Sequence, residues 1–323
     1  MTTTSRDISL DAIRDAAKFV YRAAARTPLV HLEVPGAPDG IDLYLKLEVL
    51  QPIGSFKIRG AMNVVRQLSA ADLAGGVWTV SAGNAALGVA YAARHAGVPC
   101  SVMVIDTAPA AKVDAIHRLG ASIVRVTYDE AWKTVERHSS DRMRGYFIHP
   151  FDDDRFIAGN GTVALEILED LPDVDAIVGS VGGGGLLSGV IAAARALRPQ
   201  TKVFAAEPET AAPLSASLAA GRPVYLDNWR ASFVDGAGGK SVLETMWPLL
   251  RGVNGSIVVT LDDVARAIRI VAERAHVIAE GAGGCAVAGA LSGRAGRGKI
   301  VAIVSGGNID LSRFFEILTL STS

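Results

Sequence analysis

Cysteine is almost missing from this chain. Its two cysteines in 323 residues, Cys100 and Cys285, are too few for a disulfide scaffold and have no metal-binding spacing. Charge is scarce too: 32 basic residues against 33 acidic ones leave a net charge of −1, so no basic field exists to hold nucleic-acid phosphates. Aromatic residues make up only 6% of the chain. No hydrophobic run reads as a membrane span. The longest uncharged stretch, Ala176 to Ala194, has Gly182-Gly183-Gly184-Gly185 at its centre, a poor membrane helix and a good strand–loop–helix junction. Arg6, Asp7, Asp11, Arg14, Asp15 and Lys18 leave no room for a secretory apolar core near the start. The expectation is a cytoplasmic protein without membrane or nucleic-acid partners. His31, His95, His117, His138, His149 and His276 show no ligand spacing such as H-E-x-x-H and read mostly as surface or capping residues.

What is present is apolar and small. Half the residues are hydrophobic, ample for a core, and glycine reaches 34, above the usual share of about 7%. The glycines keep no three-residue period, which excludes collagen.

From Gly76 onward short apolar runs alternate with helical patterns. Strands are expected at Val77–Val80, Val102–Ile105, Ile123–Val126 and Tyr146–Ile148, with helices at Ala85–His95, Ala110–Leu119 and Glu130–His138 between them. The rhythm restarts with strands Ala176–Val181 and Lys202–Ala206, helices Leu186–Leu197 and Ala211–Ala219, and a last strand Lys299–Val304. Helices are also expected at Ser9–Ala25, after Lys57, at Asp152–Glu169, at Asp262–His276 and at Gly284–Leu291, and a strand at Leu43–Leu47. Strands alternating with helices indicate βαβ units and parallel sheets. There are more units than one small sheet needs. The fold class is therefore α/β with two parallel-sheet domains, residues 76–150 forming the smaller and 1–75 plus 151–323 the larger.

Four segments concentrate unusual chemistry. The first is Gly182 to Gly185, between a strand and Leu186-Leu187. Four glycines expose backbone N–H groups at a helix N-terminus, where the helix dipole also favours an anion; a phosphate fits better than a mere turn, which one glycine would serve. The segment does not satisfy G-x-G-x-x-G, and no acidic residue follows at the spacing a ribose requires. Gly281 to Ala286 matches the looser form but follows a helix, and Gly239-Lys240-Ser241 lacks the leading glycine of a P-loop; both read as coincidences. The second is Gly54-Ser55-Phe56-Lys57-Ile58-Arg59-Gly60. A lysine in a partly apolar setting has its pKa lowered and becomes a competent amine, although a lysine at a helix start is more often a surface residue. A buried lysine together with a monophosphate site suggests pyridoxal 5′-phosphate. The third is Ser81-Ala82-Gly83-Asn84-Ala85, whose N–H groups suit a substrate carboxylate and whose Asn84 suits a ring hydroxyl, or which merely caps a helix. The fourth is Ser305-Gly306-Gly307-Asn308 after the last strand, where α/β proteins bind ligands.

In this order the four segments resemble the fold type II, tryptophan-synthase-β-like pyridoxal phosphate enzymes. Among these the chain is most similar to the serine/threonine dehydratases (threonine ammonia-lyases) and the related serine racemases. The resemblance runs from Thr27-Pro28-Leu29 to Asn308. It implies that Lys57 bonds the cofactor and removes the α-proton. It places Phe56 on one face of the cofactor ring and the Asp235-Gly236 loop near the other. Asn84 would bond the 3-oxygen and Ser305 the pyridine nitrogen. Gly182, Gly183, Gly184, Gly185 and Leu186 would hold the phosphate, and Ser81, Ala82, Gly83, Asn84 and Ala85 the substrate carboxylate. A serine cannot hold a charged ring as an aspartate would, which favours prompt loss of a β-hydroxyl. Racemases of the family carry serine at position 82, where this chain has Ala82, and cysteine-synthase relatives favour Lys-Asp-Arg where this chain has Lys57-Ile58-Arg59. Many relatives have histidine where Ala85 stands.

The implied activity is elimination of water from a 3-hydroxy amino acid such as L-threonine or L-serine, giving a 2-oxo acid and ammonia. A racemase or β-replacement synthase of the same fold is the alternative, and a nucleotide-binding oxidoreductase a remote one. Several relatives bind a cation, divalent or monovalent. Glu207 and the Ala211 carbonyl fit that pattern, but Pro213 replaces the last carboxylate, so Glu207 is a candidate ligand of at most a weakened site. A homodimer is also implied.

Overall fold

A computed structural model describes residues 6–108 and 110–319. In chain order the elements begin with α1 (Leu10–Val20), β1 (Leu29–His31), β2 (Ile41–Leu47), α2 (Lys57–Val65) and α3 (Ala70–Ala74). Next come β3 (Val77–Val80), α4 (Asn84–Ala96), β4 (Cys100–Ile105), α5 (Ala110–Arg118), β5 (Ser122–Val126), α6 (Tyr128–Arg137) and β6 (Tyr146–Phe147). They continue with α7 (Asp154–Asp170), β7 (Ala176–Ser180), α8 (Gly185–Leu197), β8 (Lys202–Pro208), α9 (Pro213–Ala220), α10 (Trp247–Leu250) and β9 (Gly255–Val259). Last are α11 (Leu261–Ile270), α12 (Gly281–Leu291), β10 (Gly298–Val304) and α13 (Leu311–Thr319).

Two sheets form. The larger has the strand order β1-β2-β10-β7-β8-β9 and the smaller β5-β4-β3-β6. All pairings are parallel except that of β1 with β2, so the larger sheet has one antiparallel edge. Strand alternation sorts the core. Val301 and Ile303 face one cluster with Ile177, Leu187 and Ile157; Ile300, Ala302 and Val304 face another with Val178, Val287 and Ile268. Both faces are covered by helices, which is why the inner strands read as unbroken apolar runs. The smaller sheet repeats the pattern, with Val77, Val102 and Val104 against α2 and α4 and with Trp78, Val80 and Met103 against α6.

Several expected boundaries need correction. β1, β9, α3, α10 and α13 were not anticipated; β1 has three residues and β9 is a half-exposed edge with a weak pattern. The helix expected over Asp262–His276 is α11 followed by a π-turn at Val271–Ala275, ended by His276 at φ 56°. The Gly281 run opens α12 three residues earlier than expected. Asp153 caps α7 through its carboxylate, so the helix expected from Asp152 begins at Asp154. Cys285 is buried in the core. His149 is buried rather than exposed.

Candidate active site

Short loops leave the carboxyl ends of β3, β7 and β10, and these loops meet. Phe56, Lys57, Ser81 to Ala85, Gly182 to Leu186, Gly236 and Ser305 all line one cavity of about 860 Å³. The ends of parallel strands are where open α/β sheets bind ligands, because helix N-termini and loop amides converge there.

Lys57 is the first residue of α2. The segment before it is pinned to the end of β10: the Phe56 N–H donates to the Ser305 carbonyl (3.0 Å), and Gly307 N–H to the Gly54 carbonyl (2.9 Å). The Lys57 Nζ donates to the Pro150 carbonyl oxygen at 2.6 Å and lies 5.3 Å from the ring centroids of Phe56 and Phe156. Desolvation by these walls brings its pKa down to about 8, against an opposing pull from Glu280. An amine near neutrality is suited to covalent and proton-transfer chemistry. Below α2, Arg59 is fully buried and bridges Glu48 and Glu166, while Lys46 pairs with Glu166. This network fixes the helix that carries Lys57.

The glycine loop presents a helix N-terminus. Gly184, at φ 90°, precedes α8 and provides no side-chain cap, so first-turn amides face the cavity unmatched. The glycines are forced by close approach. A Cβ at Gly182 would lie 2.5 Å from the Gly236 carbonyl oxygen, and one at Gly183 2.2 Å from the Phe151 ring. A 13-residue helix with bare leading amides is a fitting cradle for a phosphate. α4 offers a second such end: its N-cap is Gly83, again without a side-chain cap, and Ser81 Oγ accepts from the Gly83 N–H at 3.0 Å.

Asn84 is held from both sides. Its Nδ2 donates to Glu280 Oε1 (2.7 Å), and its Oδ1 accepts from Asn308 Nδ2 (2.7 Å), which also donates to the Ile53 carbonyl (2.8 Å). Glu280 was missed in the sequence. It is buried, and desolvation, helped by Asp235, raises its carboxyl to about 8. The available signal was its place directly before the Gly281 run, read there as coincidental. Ser305 is buried and lines the cavity at the end of β10. Buried amine, bare helix ends, fixed asparagine and terminal serine together match the donor set that pyridoxal phosphate requires.

Glu207 stands apart from this cavity. Its two oxygens accept from Leu214 N–H (2.8 Å), Ser215 N–H (2.8 Å) and Ser256 Oγ (2.6 Å). Pro213 opens α9, and the carboxylate serves as that helix's cap from outside. Each oxygen of the Glu207 carboxylate thus already accepts hydrogen bonds from the protein. Among the described residues no helix is long and apolar enough to cross a membrane.

Comparison with known proteins agrees with this geometry. A family model described as "Pyridoxal-phosphate dependent enzyme" matches residues 20–306. An L-threonine ammonia-lyase of Thermotoga maritima is 39% identical over 315 residues, covering 96% of this chain and 78% of the relative. The serine racemase of Homo sapiens is 37% identical over 296 residues, covering 88% of this chain and 87% of that one. The structure of maize serine racemase superposes with a TM-score of 0.87 at 34% identity, covering 97% of each chain. The chain belongs to the fold type II pyridoxal-phosphate-dependent enzymes, within the threonine dehydratase and serine racemase family.

Proposed function

We propose that this enzyme eliminates water from a 3-hydroxy amino acid, L-threonine, L-serine or a close analogue, and releases a 2-oxo acid and ammonia. The observation that carries the reading is the pairing of Lys57 with Ala82 in one cavity. Lys57 is an amine tuned near neutrality, and position 82 of the carboxylate loop presents a methyl group with no proton to exchange. A racemase needs a second acid–base group at that place.

In this reading the amides of Gly182 to Gly185 and Leu186 would hold the cofactor phosphate. Asn84 would hold its 3-oxygen, Ser305 would meet its ring nitrogen, and Phe56 and Gly236 would flank the ring. The bound cofactor supplies an electron sink for the substrate α-carbon. The loop Ser81-Ala82-Gly83-Asn84-Ala85 orients the substrate carboxylate through the α4 N-terminus. Lys57 removes the α-proton, the Cβ–O bond breaks, and the leaving hydroxyl departs as water with the proton that Lys57 has taken up. The dehydrated amino acid then hydrolyses to the oxo acid and ammonia. Glu280 keeps the Asn84 amide turned so that its position is fixed before substrate arrives. Names of the relatives support both the lyase and the racemase reading; Ala82 favours the lyase.

The chain is further proposed to work as a homodimer in the cytoplasm, with residues 76–150 as a smaller domain against 1–75 plus 151–323. The test is to follow ammonia, 2-oxo acid and substrate chirality together with L-serine and no added nucleophile. Equimolar ammonia and pyruvate with little D-serine are expected. D-serine formed as fast as pyruvate would overturn the lyase reading, and ammonia release only with an added thiol or amine would favour the synthase.

A further inference from the structure

Beyond the lysine and the carboxylate loop, the same cavity opens outward. This mouth lies between α5, α6 and the segment after Gly236. At about 860 Å³ the cavity lies in the upper part of the ~300–1,000 Å³ range of small-molecule sites, room for the cofactor and a substrate together. Three cations line the mouth: Lys112, Arg118 and Lys240. Lys112 is spent on an ion pair with Asp235. Lys240 is different. Its Nζ lies 5.0 Å from the Tyr128 ring centroid and 4.7 Å from that of Trp229, and among the described residues no carboxylate pairs with it. The two rings hold the ammonium in place by cation–π attraction while leaving its N–H donors unused. The remaining mouth acid, Asp310, is exposed and is outnumbered by Arg118 and Lys240. A positioned, half-buried ammonium facing a cavity is an anion receptor, because a charge-assisted hydrogen bond there is worth more than in water.

We propose that Lys240 selects the substrate: it grips a second carboxylate at the end of the side chain, so that the preferred substrate is a 3-hydroxy amino dicarboxylate rather than serine or threonine. Tyr128 and Trp132 on α6 line the stretch the side chain crosses. This inference rests on the elimination reading for its chemistry, but not for its recognition step.

The test uses the holoenzyme with L-serine, L-threonine, 3-hydroxyaspartate and 3-hydroxyglutamate, the last two differing by one methylene in the reach of the second carboxylate. The expected result is a kcat/KM at least tenfold higher for one dicarboxylate than for serine. Lys240→Gln should lower that value by about 10- to 100-fold, the worth of a charged hydrogen bond, mainly through KM. Serine turnover should stay within about threefold, and Lys240→Arg should recover most of the loss. An equal loss for serine and the dicarboxylates, or no preference in the parent enzyme, overturns the proposal. A second readout needs no turnover. L-aspartate and L-alanine lack the leaving hydroxyl, and their binding is followed by the absorbance of the bound cofactor. Aspartate, or glutamate where 3-hydroxyglutamate is the preferred substrate, should bind at least tenfold tighter than alanine, and Lys240→Gln should erase the difference. If no panel member yields an oxo acid, the elimination reading fails while this binding contrast still decides the role of Lys240. If Lys240→Gln instead releases the cofactor, Lys240 serves the cofactor phosphate and the proposal is wrong.

Discussion

Acid should loosen the active site through His149. This ring is buried in the segment leading to Pro150 and Phe151. Its Nδ1 accepts from the Asp152 N–H (2.7 Å) and the Phe151 N–H (3.3 Å), so Nε2 carries the proton and donates to the Val135 carbonyl (3.2 Å). A second proton would sit on Nδ1 and face two N–H donors. Burial, helped by the neighbouring His138, pulls the His149 pKa down to about 4, from an ordinary value near 6.5. The unfolded chain therefore takes up this proton first. Stability from the neutral ring is complete above pH ~6.5 and drains away as pH falls toward 4. At about 1.4 kcal/mol per pH unit, the loss reaches about 2 kcal/mol by pH 5 and about 3 kcal/mol by pH 4. His149→Asn keeps an acceptor near the Nδ1 position and cannot be protonated. Urea midpoints of both proteins from pH 7.5 to 4 should show the parent's advantage shrinking by those amounts. Parallel curves would show that His149 does not couple protonation to unfolding. The functional consequence follows from position. Pro150 accepts the Lys57 hydrogen bond, and Phe151 packs against the glycine loop, so cofactor retention should weaken over the same range.

Gly182→Ala places a methyl 2.5 Å from the backbone oxygen of Gly236, which cannot rotate away. Overpacking of about 1–3 kcal/mol should weaken cofactor binding by about 10- to 100-fold, measured by equilibrium dialysis, with circular dichroism unchanged. Arg59→Met leaves buried Glu48 and Glu166 with only Lys46 as counter-ion and should cost about 3–5 kcal/mol; a loss below 1 kcal/mol in urea unfolding would show that the network is not stabilising α2. Glu280→Gln keeps a partner for Asn84, and because the carboxyl titrates only at about 8, turnover at pH 7 should stay within about threefold of the parent. Glu280→Ala removes that partner and should lower turnover by about tenfold or more, the cost of an orphaned buried amide.

Inner parallel strands were legible in the sequence because burial on both faces makes them continuous apolar runs: β3 has the expected bounds, and β4, β7 and β10 differ by one or two residues at an end. β1 and β9 escaped notice because edge strands carry a mixed pattern and their pairing is set by distant chain. Lys57, the glycine loop, Asn84 and Ser305 were visible because each sits on a local strand–loop–helix signal. Glu280 had no such signal. Its role depends on meeting Asn84, 196 residues away, and no periodicity reports that contact. Lys240 stood out in the sequence only as a failed P-loop match; its ring contacts gave no signal, since Tyr128 and Trp229 reach it from separate parts of the fold. Glu207, a candidate for at most a weakened cation site by family resemblance, caps α9 with its carboxylate, a contact that spacing alone did not report.

Lys57 is proposed to perform the chemistry on a bound pyridoxal phosphate. The direct measurement compares the parent and Lys57→Ala, each supplied with the cofactor, by visible absorbance and by 2-oxo acid release from a panel of 3-hydroxy amino acids. The parent should be coloured and should produce equimolar oxo acid and ammonia. Lys57→Ala should keep its fold, lose the lysine-bound absorbance and fall by at least about 1,000-fold in turnover, since nucleophile and base are removed together. Oxo acid formed by Lys57→Ala at a rate near the parent's would contradict the account.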